Sequence, residues 1–302
     1  MFQSWLTTMT RGILVFARNN SQIDYTKQAH FLAQRAKKFL DLPTTLVTDS
    51  IDYLDIEYPD WRSVFDQVIK IVWNSADADE NSVLISRETH SQRSFNDGTV
   101  VSKQLEWKNE LRSKAYDLSP YDETLVLDTD IVICNDNFAK CFEQTPNLLL
   151  YSQCTELNNL DRGDEFARIS DTSVDFYWAT AIFFRKTPEN KIFFDLVKHI
   201  QENWTHYKRV FQINSAVFRN DYAFSIAIHI MNGYQPGNFA KPMPGKLYFV
   251  TDKSLLWNVD DTSLLFLVEK PKNNREYTAL RVKNSNVHVM NKFSLNRCID
   301  ES

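Results

Sequence analysis

Glycine is scarce in this sequence, with six among 302 residues, about 2% against a usual share of roughly 7%. No G-x-G-x-x-G or G-x-x-x-x-G-K-[ST] pattern can be assembled from so few. Such glycine-rich loops let backbone N–H groups approach the phosphates of dinucleotides or nucleoside triphosphates. Their absence excludes the dinucleotide-binding fingerprint and the P-loop.

Paired cysteines and long apolar runs are also missing. No C-x-x-C pair occurs, which disfavours structural zinc and favours a reducing compartment. The first ten residues are too short and polar for a signal peptide, and no apolar run reaches the roughly 18 residues of a membrane span. We therefore expect a soluble, cytoplasmic protein. The four cysteines are Cys134, Cys141, Cys154 and Cys298.

The composition is that of a globular chain, with 43% hydrophobic, 13% aromatic and 24% charged residues. The formal net charge of −5 argues against a protein that coats nucleic acid, although it is compatible with a local basic groove. Neither an internal repeat nor a low-complexity linker divides the sequence. We therefore expect a single domain.

The first fifty residues predict a strand, a helix and a second strand. Residues 13–17 are apolar, residues 25–40 carry apolar side chains at helical spacing, and residues 45–48 are apolar and β-branched. This order is the unit of a parallel sheet. The first strand ends in Ala17, Arg18 and Asn19. In such a sheet these residues open at the ligand-binding edge, and a solvated turn is the alternative.

The middle of the chain predicts a polar loop and then a helix. Residues 74–98 are polar and interrupted, with a short strand at residues 83–86. Residues 101–116 predict a helix that directs Leu105 and Leu111 inward. Further strands are predicted at residues 148–151, 178–184, 246–250, 264–268 and 287–290, and helices at residues 190–204 and 222–231.

Residues 125–133 read LVLDTDIVI and are the most informative stretch. Apolar residues on both sides of two carboxylates, without alternation, predict a central parallel strand buried on both faces. Asp128 and Asp130 are two apart, and at a strand end both can converge on one cation. Their hard oxygen ligands suit Mg²⁺ or Mn²⁺. Capping of the neighbouring backbone is the alternative.

A second D-x-D pair, Asp77 and Asp79, lies in the polar segment ADADEN, where no apolar strand leads into it. We assign this pair to a solvated loop. The context of Asp128 and Asp130 differs, because burying two carboxylates costs several kcal/mol unless a cation or hydrogen-bond donors compensate them.

Residues 116–133, YDLSPYDETLVLDTDIVI, resemble the corresponding stretch of nucleotide-sugar glycosyltransferases of the GT-A fold, and are most similar to the glycogenin and bacterial galactosyltransferase group. The resemblance implies an α/β fold with a Rossmann-like, mostly parallel mixed sheet flanked by helices. It also implies a nucleotide-binding half at about residues 11–135 and an acceptor-binding half at about residues 136–302. The implied activity moves a sugar from a nucleotide-sugar donor, with UDP-sugar favoured, to an acceptor hydroxyl, with Mn²⁺ or Mg²⁺ as cofactor.

The resemblance also implies roles for residues that match in order along the chain. Asp128 and Asp130 would hold the cation on the donor diphosphate, and His288, in NVHVMNKF, would be the third ligand, with a structural histidine on a β-strand as the alternative. Positive charge on the phosphates would come from Arg112, Lys114 and Lys292, with a solvated helix face as the alternative for Arg112 and Lys114. The edge formed by Ala17, Arg18 and Asn19 would bind the base and ribose.

Two further positions bear on the sugar. The family carries an acidic residue near the sugar and acceptor, and Asp221 in RNDYAFSIAI occupies that place. We therefore name Asp221 and Asp128 as candidate catalytic residues, with a helix N-cap as the alternative for Asp221. The segment WATAIFF stands where the family has F-N-[SA]-G-V, so the polar and glycine positions are replaced here.

Other functions stay open at this stage. A nucleotidyltransferase also pairs carboxylates with a metal, but it would carry a glycine-rich basic loop after the first strand, and VFARNNSQIDY has none. A non-catalytic nucleotide-binding module is another candidate. The acceptor would be a glycan, a protein or a small molecule, or DNA with hydroxymethylated bases as for some viral glycosyltransferases. The basic cluster that could guide DNA comprises Lys270, Lys272, Arg275, Arg281 and Lys283.

Overall fold

The computed structural model describes residues 9–73, 75–85, 92–97, 102–159, 165–170, 174–215, 217–270 and 276–301. Its strands are β1 (Arg11–Ala17), β2 (Thr44–Thr48), β3 (Gln67–Val72), β4 (Ser82–Leu84), β5 (Gln92–Asn96), β6 (Ser102–Glu106), β7 (Glu123–Leu127), β8 (Ile131–Val132), β9 (Leu148–Tyr151), β10 (Thr155–Glu156), β11 (Trp178–Arg185), β12 (Lys241–Pro242), β13 (Tyr248–Val250), β14 (Leu255–Val259), β15 (Ser263–Glu269), β16 (Tyr277–Lys283) and β17 (Val287–Val289). The α-helices are α1 (Tyr25–Leu40), α2 (Ile51–Glu57), α3 (Trp61–Val64), α4 (Ala115–Leu118), α5 (Pro188–Glu202), α6 (Trp204–Val210), α7 (Asn220–Met231) and α8 (Lys292–Asp300). Short 3₁₀ helices span Ser75–Asp77, Glu110–Lys114 and Asn137–Glu143.

The main sheet has eight strands in the order β12-β9-β11-β7-β1-β2-β3-β4. Strand β11 runs antiparallel to its neighbours β7 and β9, and the other neighbouring pairs are parallel. Helix α1 packs on β1 and β2, and α7 packs on β11. The predicted mixed, mostly parallel sheet flanked by helices is therefore confirmed.

The first strand, helix and second strand form where the sequence pattern predicts them. Asp24 caps α1 by accepting a hydrogen bond from the backbone N–H of Lys27 at 2.9 Å. The helix ends at Asp41, whose positive φ of 51° interrupts the helical path. Because the apolar residues between these caps recur at helical spacing, α1 buries one face against the sheet.

The order of strands reverses at β1. The chain proceeds from β1 to β2, β3 and β4 on one side, and returns on the other side with β7. In open α/β sheets a crevice forms outside the carboxyl ends of the two strands where the order reverses, and ligands bind there. The residues that follow β1 and β7 are thus placed at one crevice.

The D-x-D segment differs from its prediction as one continuous central strand. Strand β7 ends at Leu127, and β8 belongs to a second sheet of order β10-β13-β17-β8. The backbone turns between them, with the N–H of Ile131 donating to the carbonyl of Asp128 at 3.2 Å. Since β8 pairs antiparallel with β17, Ile131 lies opposite His288, and the turn brings Asp130 to the histidine.

The prediction of a helix at residues 101–116 is wrong. Its first part is β6, which pairs antiparallel with β5 in a two-stranded ribbon, and its end forms the 3₁₀ helix Glu110–Lys114 and α4. The alternation of polar residues with Leu105 and Trp107 is a period of two, which fits a strand. Leu105 and Phe95 pack with Ile23 in a small apolar cluster that attaches the ribbon to the start of α1.

Strand β9 has the predicted ends, and the other predicted elements are found with shifted ends. The elements that were not predicted include α2, α3, α6, α8, β3, β14 and β16. The predicted strand at residues 83–86 corresponds to β4, and residue 86 lies outside the described residues. A third sheet of order β14-β15-β16 shares an apolar cluster with β17 and α8. Among the described residues, no helix is long and apolar enough to cross a membrane.

Candidate active site

A cleft of about 120 Å³ opens at the carboxyl edge of the main sheet. Arg18 follows β1, Asp128 and Asp130 follow β7, Trp178 begins β11, and His288 comes from β17. Because β11 is antiparallel to its neighbours, its first residues lie at the edge where the neighbouring strands end. The reversal of strand order and the turn between two sheets therefore bring distant parts of the chain to one place.

Asp128 is oriented by two donors. The guanidinium of Arg112 donates to the Asp128 carboxylate and to the carbonyl of Ala179, and the Thr180 hydroxyl donates to Asp128 Oδ2 at 2.9 Å. Arg112 and Thr180 are both buried. Arg112, which the sequence predicts to contact the donor phosphates, is therefore bonded to Asp128, which the sequence predicts to bind the metal.

Asp130 is almost fully buried, with 2% of its surface exposed. Its Oδ2 accepts a hydrogen bond from Lys292 Nζ and lies 3.2 Å from His288 Nε2. Burial alone would raise the pKa of Asp130, but His288 and Lys292 outweigh it and hold the pKa well below its usual range. Asp130 is therefore ionised at neutral pH.

The residues Asp128, Asp130 and His288 fit a divalent cation. Each offers one ligand atom, and the three atoms lie within 4.8 Å of one another. Two carboxylate oxygens with one imidazole nitrogen form a donor set that Mn²⁺ accepts, and Mg²⁺ accepts the oxygens. The same carboxylates also have the cationic partners described above, so the site is charge-compensated as it stands.

Asp221 lies in the first turn of α7, whose N-cap is Arg219. The Asp221 carboxylate accepts a hydrogen bond from the backbone N–H of Ala179 at 2.9 Å and pairs with Arg219 Nη2 at 2.8 Å. It therefore ties the start of α7 to β11 and does not cap its own helix. Asp221 also lines the cleft.

The three residues predicted to bind the nucleoside are placed differently from one another. Arg18 lines the cleft, where it pairs with Asp49 at 3.0 Å and with Glu110, and lies over the ring of Trp73. The Asn19 carboxamide exchanges hydrogen bonds with Thr26 at 3.0 Å. Asn19 and the fully buried Ala17 are not among the residues that line the cleft.

Lys114 is not brought to the cleft. It ends the 3₁₀ helix Glu110–Lys114, and burial followed by the nearby Lys198 of α5 lowers the pKa of its ammonium group. Lys114 is not among the lining residues. Its predicted contact with the donor phosphates has no support from this placement.

The Asp77 and Asp79 pair lies on the surface, away from the cleft. Asp79 Oδ1 accepts hydrogen bonds from the Ser82 hydroxyl and from the backbone N–H of Asn81 at 3.0 Å. The Ser82 hydrogen bond lowers the pKa of Asp79. Asp79 therefore stabilises a local turn.

Two of the three described members of the basic cluster lie near carboxylates. Lys270 pairs with Glu276 at 3.1 Å, and Arg281 lies 3.9 Å from Asp260. Lys272 and Arg275 lie outside the described residues. Lys283, exposed on β16, is the described member for which the structure shows no ion pair.

Several cleft residues were missed from the sequence. Tyr25 begins α1 directly after the first strand and loop, and Arg219 precedes Asp221 by two positions. Both residues are thus close in sequence to predicted site residues, and this proximity could have identified them. Arg93 and Trp107 had no such signal, because the ribbon that carries Arg93 was predicted as a loop and a helix. Lys108 also lines the cleft.

The cleft is rich in cations and in unsatisfied polar atoms. Of the described residues that line it, six are Arg or Lys and three are Asp, so the lining carries positive charge. Four lining residues also have a buried polar atom without a hydrogen-bond partner: Tyr25 Oη, Trp178 Nε1, Asn220 Oδ1 and His288 Nδ1. Such atoms cost free energy unless a partner is supplied. Together these features suit a polar, anionic ligand.

No family model matches the sequence, and no curated protein sequence matches it. Among solved structures, the chain is similar to the glycosyltransferase GlyE of Streptococcus pneumoniae TIGR4, with a TM-score of 0.42 and 11% identity over 77% of this chain and 45% of that chain. The apo form of GlyE gives a TM-score of 0.37 and 13% identity over 74% and 43%. This chain thus covers less than half the length of those structures. A likeness this distant assigns neither a family nor an activity.

Proposed function

We propose that this protein is a metal-dependent glycosyltransferase that moves a sugar from a nucleotide-sugar donor, with a UDP-sugar favoured, to an acceptor hydroxyl. The observation that supports the proposal is the convergence of Asp128, Asp130 and His288 at the crevice where the strand order reverses. Open α/β sheets bind nucleotides at this crevice. The donor set suits a divalent cation on a diphosphate.

Asp128, Asp130 and His288 would hold Mn²⁺ or Mg²⁺, which as a Lewis acid stabilises negative charge on the departing nucleoside diphosphate. Arg112 keeps the Asp128 carboxylate oriented through its hydrogen bond. Lys292, next to Asp130, supplies further positive charge where the leaving group gains negative charge. In this proposal these residues bind the cation and the diphosphate of the nucleotide sugar and stabilise the negative charge of the leaving group.

The sugar and acceptor would lie on the side of the cleft formed by β11 and α7. Trp178 Nε1 is a donor without an acceptor, and Asn220 Oδ1 is an acceptor without a donor. A sugar hydroxyl both donates and accepts hydrogen bonds, so it satisfies either atom. Asp221 holds α7 against β11 through Ala179, which fixes this wall. The acceptor in this proposal is a glycan, a protein or a small molecule.

The test is a screen of nucleotide sugars with Mn²⁺ for release of the nucleoside diphosphate. We expect release with at least one donor, its loss with EDTA, and a fall of roughly a hundredfold or more in Asp130→Asn. Asp79→Asn is the matched control, because it removes the same charge from the other D-x-D pair. Melting temperatures are measured in parallel to show that both variants fold.

Four outcomes contradict the proposal. Full activity of Asp130→Asn, or activity that survives exhaustive EDTA treatment, would exclude the metal site. Release of pyrophosphate in place of the nucleoside diphosphate would indicate a nucleotidyltransferase. Neither binding nor turnover with any nucleotide would favour a non-catalytic module.

A further inference from the structure

Arg93 is a cleft residue whose guanidinium has neither a hydrogen-bond acceptor nor an ion-pair partner among the described residues. It lies on β5, over the rings of Trp107 at 4.7 Å and Phe95 at 5.5 Å. Aromatic faces hold a guanidinium in place but leave its N–H donors unused. Asp252, the carboxylate that acts on it most strongly, accepts a hydrogen bond from the backbone N–H of Asn96 and does not line the cleft.

Two further donors lie beside Arg93. Burial, and after it the neighbouring Arg219, lower the pKa of Arg93, so the two guanidinium groups repel each other. Arg219 uses Nε and Nη2 on Asp221. The Tyr25 hydroxyl is buried without a partner, and burial raises its pKa, so it is a neutral donor. Arg93 and Tyr25 thus have hydrogen-bond donors without an acceptor, and Arg219 places a second guanidinium beside them, which suits a ligand rich in acceptor oxygens.

The other charges of the cleft are already paired. The pairs are Arg112 with Asp128, Lys292 with Asp130, Arg219 with Asp221, and Arg18 and Lys108 with Asp49. A divalent cation and the two negative charges of a nucleotide-sugar diphosphate cancel each other. Binding of the nucleotide sugar with its cation therefore leaves the positive charge of Arg93 unbalanced within the cleft.

We propose that Arg93, Arg219 and Tyr25 form a subsite for an anionic group other than the donor diphosphate, a carboxylate or phosphate ester carried by the transferred sugar or by the acceptor. The inference rests on the proposed function for the position of the diphosphate. Guanidinium groups bind both anions through parallel N–H donors, and an anion beside Arg93 removes its repulsion from Arg219. The substrate class is thus an acidic sugar or an acidic acceptor.

Sulfate is the probe for this subsite, because it is a tetrahedral anion that does not precipitate Mn²⁺. It is titrated by calorimetry into protein saturated with Mn²⁺ and UDP, for wild type, Arg93→Gln and Lys103→Gln. Lys103 lies on β6 of the same ribbon, pairs with Asp97 at 3.5 Å and does not line the cleft. We expect Arg93→Gln to weaken sulfate binding roughly tenfold or more and Lys103→Gln to leave it unchanged. Equal melting temperatures show that the ribbon is intact.

Sulfate binding that UDP abolishes would assign Arg93 to the diphosphate and overturn the inference. Equal sulfate affinity in wild type and Arg93→Gln would also overturn it. If UDP and Mn²⁺ do not bind while sulfate still binds through Arg93, the proposed function fails and the anion subsite stands.

Two pairs of compounds distinguish the source of the anion. UDP-glucuronate against UDP-glucose tests the transferred sugar, and glucose 6-phosphate against glucose, with Mn²⁺ and UDP bound, tests the acceptor. Tighter binding of the acidic member of one pair, lost in Arg93→Gln, identifies the source. Equal binding within both pairs would contradict an acidic substrate.

Discussion

His288 lines the cleft and contacts Asp130 and Trp178. Its Nε2 lies 3.2 Å from Asp130, and the ring of Trp178 meets it edge-on at 6.3 Å between centroids. Nδ1 has no hydrogen-bond partner among the described residues. Because Nε2 is the nitrogen that faces the Asp130 carboxylate, it is the one placed to share a cation with that residue.

His288→Ala should therefore weaken Mn²⁺ binding in the presence of UDP by roughly tenfold or more, because it removes one of three ligands. Calorimetric titration measures the affinity, and far-UV circular dichroism should be unchanged. His206, exposed on α6, gives the control His206→Ala. Equal affinities in wild type and His288→Ala would return His288 to a structural role.

Asp79→Asn should leave metal binding unaltered and change the free energy of unfolding by no more than about 0.5 kcal/mol, as exposed substitutions usually do. The reason is that an asparagine Oδ1 still accepts the hydrogen bonds from Ser82 and Asn81. Metal titration and denaturant unfolding measure the two quantities. Loss of metal binding in Asp79→Asn, with binding retained in Asp128→Asn, would show that the wrong D-x-D pair was chosen.

At the scale of elements, sequence periodicity predicts those helices and strands whose bounds are set by residues within the element itself. Helix α1 has caps and a full apolar stripe, so its bounds follow from the sequence. The bounds of β5 and β6 do not follow from the sequence, because the short alternation of polar and apolar residues around Leu105 lies in a segment whose apolar spacing also fits a helix. The split of the D-x-D segment between two sheets depends on pairing of β8 with β17, and no local pattern specifies a pairing between such distant segments.

Strand β1 depends on a glycine at its second position. A Cβ on Gly12 would lie 2.3 Å from Cζ of Tyr121, whose hydroxyl bonds the Thr45 hydroxyl at 2.9 Å. Gly12→Ala should therefore lower the free energy of unfolding by about 1–3 kcal/mol, as overpacking does. Denaturant unfolding measures the change. In a Tyr121→Ala background the penalty should shrink, and an equal penalty in both backgrounds would contradict the steric explanation.

At the scale of the whole molecule, charge is distributed unevenly. The chain carries a formal net charge of −5, yet the lining of its cleft has twice as many cationic residues as carboxylates. Asp49 and Glu110, which do not line the cleft, compensate Arg18 and Lys108, so the remaining positive charge on Arg93 is the one that attracts an anionic ligand. The sequence predicts the candidates Asp128, Asp130 and His288 from their order, but the cation excess arises from Arg93, Arg219 and other residues that only the fold brings together.

The affinity for UDP, measured by calorimetry with Mn²⁺ and then with EDTA, tests the metal-dependent nucleotide site most directly. We expect one UDP per chain, bound at least roughly tenfold more tightly with Mn²⁺, since the cation must neutralise the diphosphate beside two carboxylates. Asp128→Asn should remove this advantage of the metal. UDP binding of equal strength with Mn²⁺ and with EDTA, or no binding in either condition, would contradict the site.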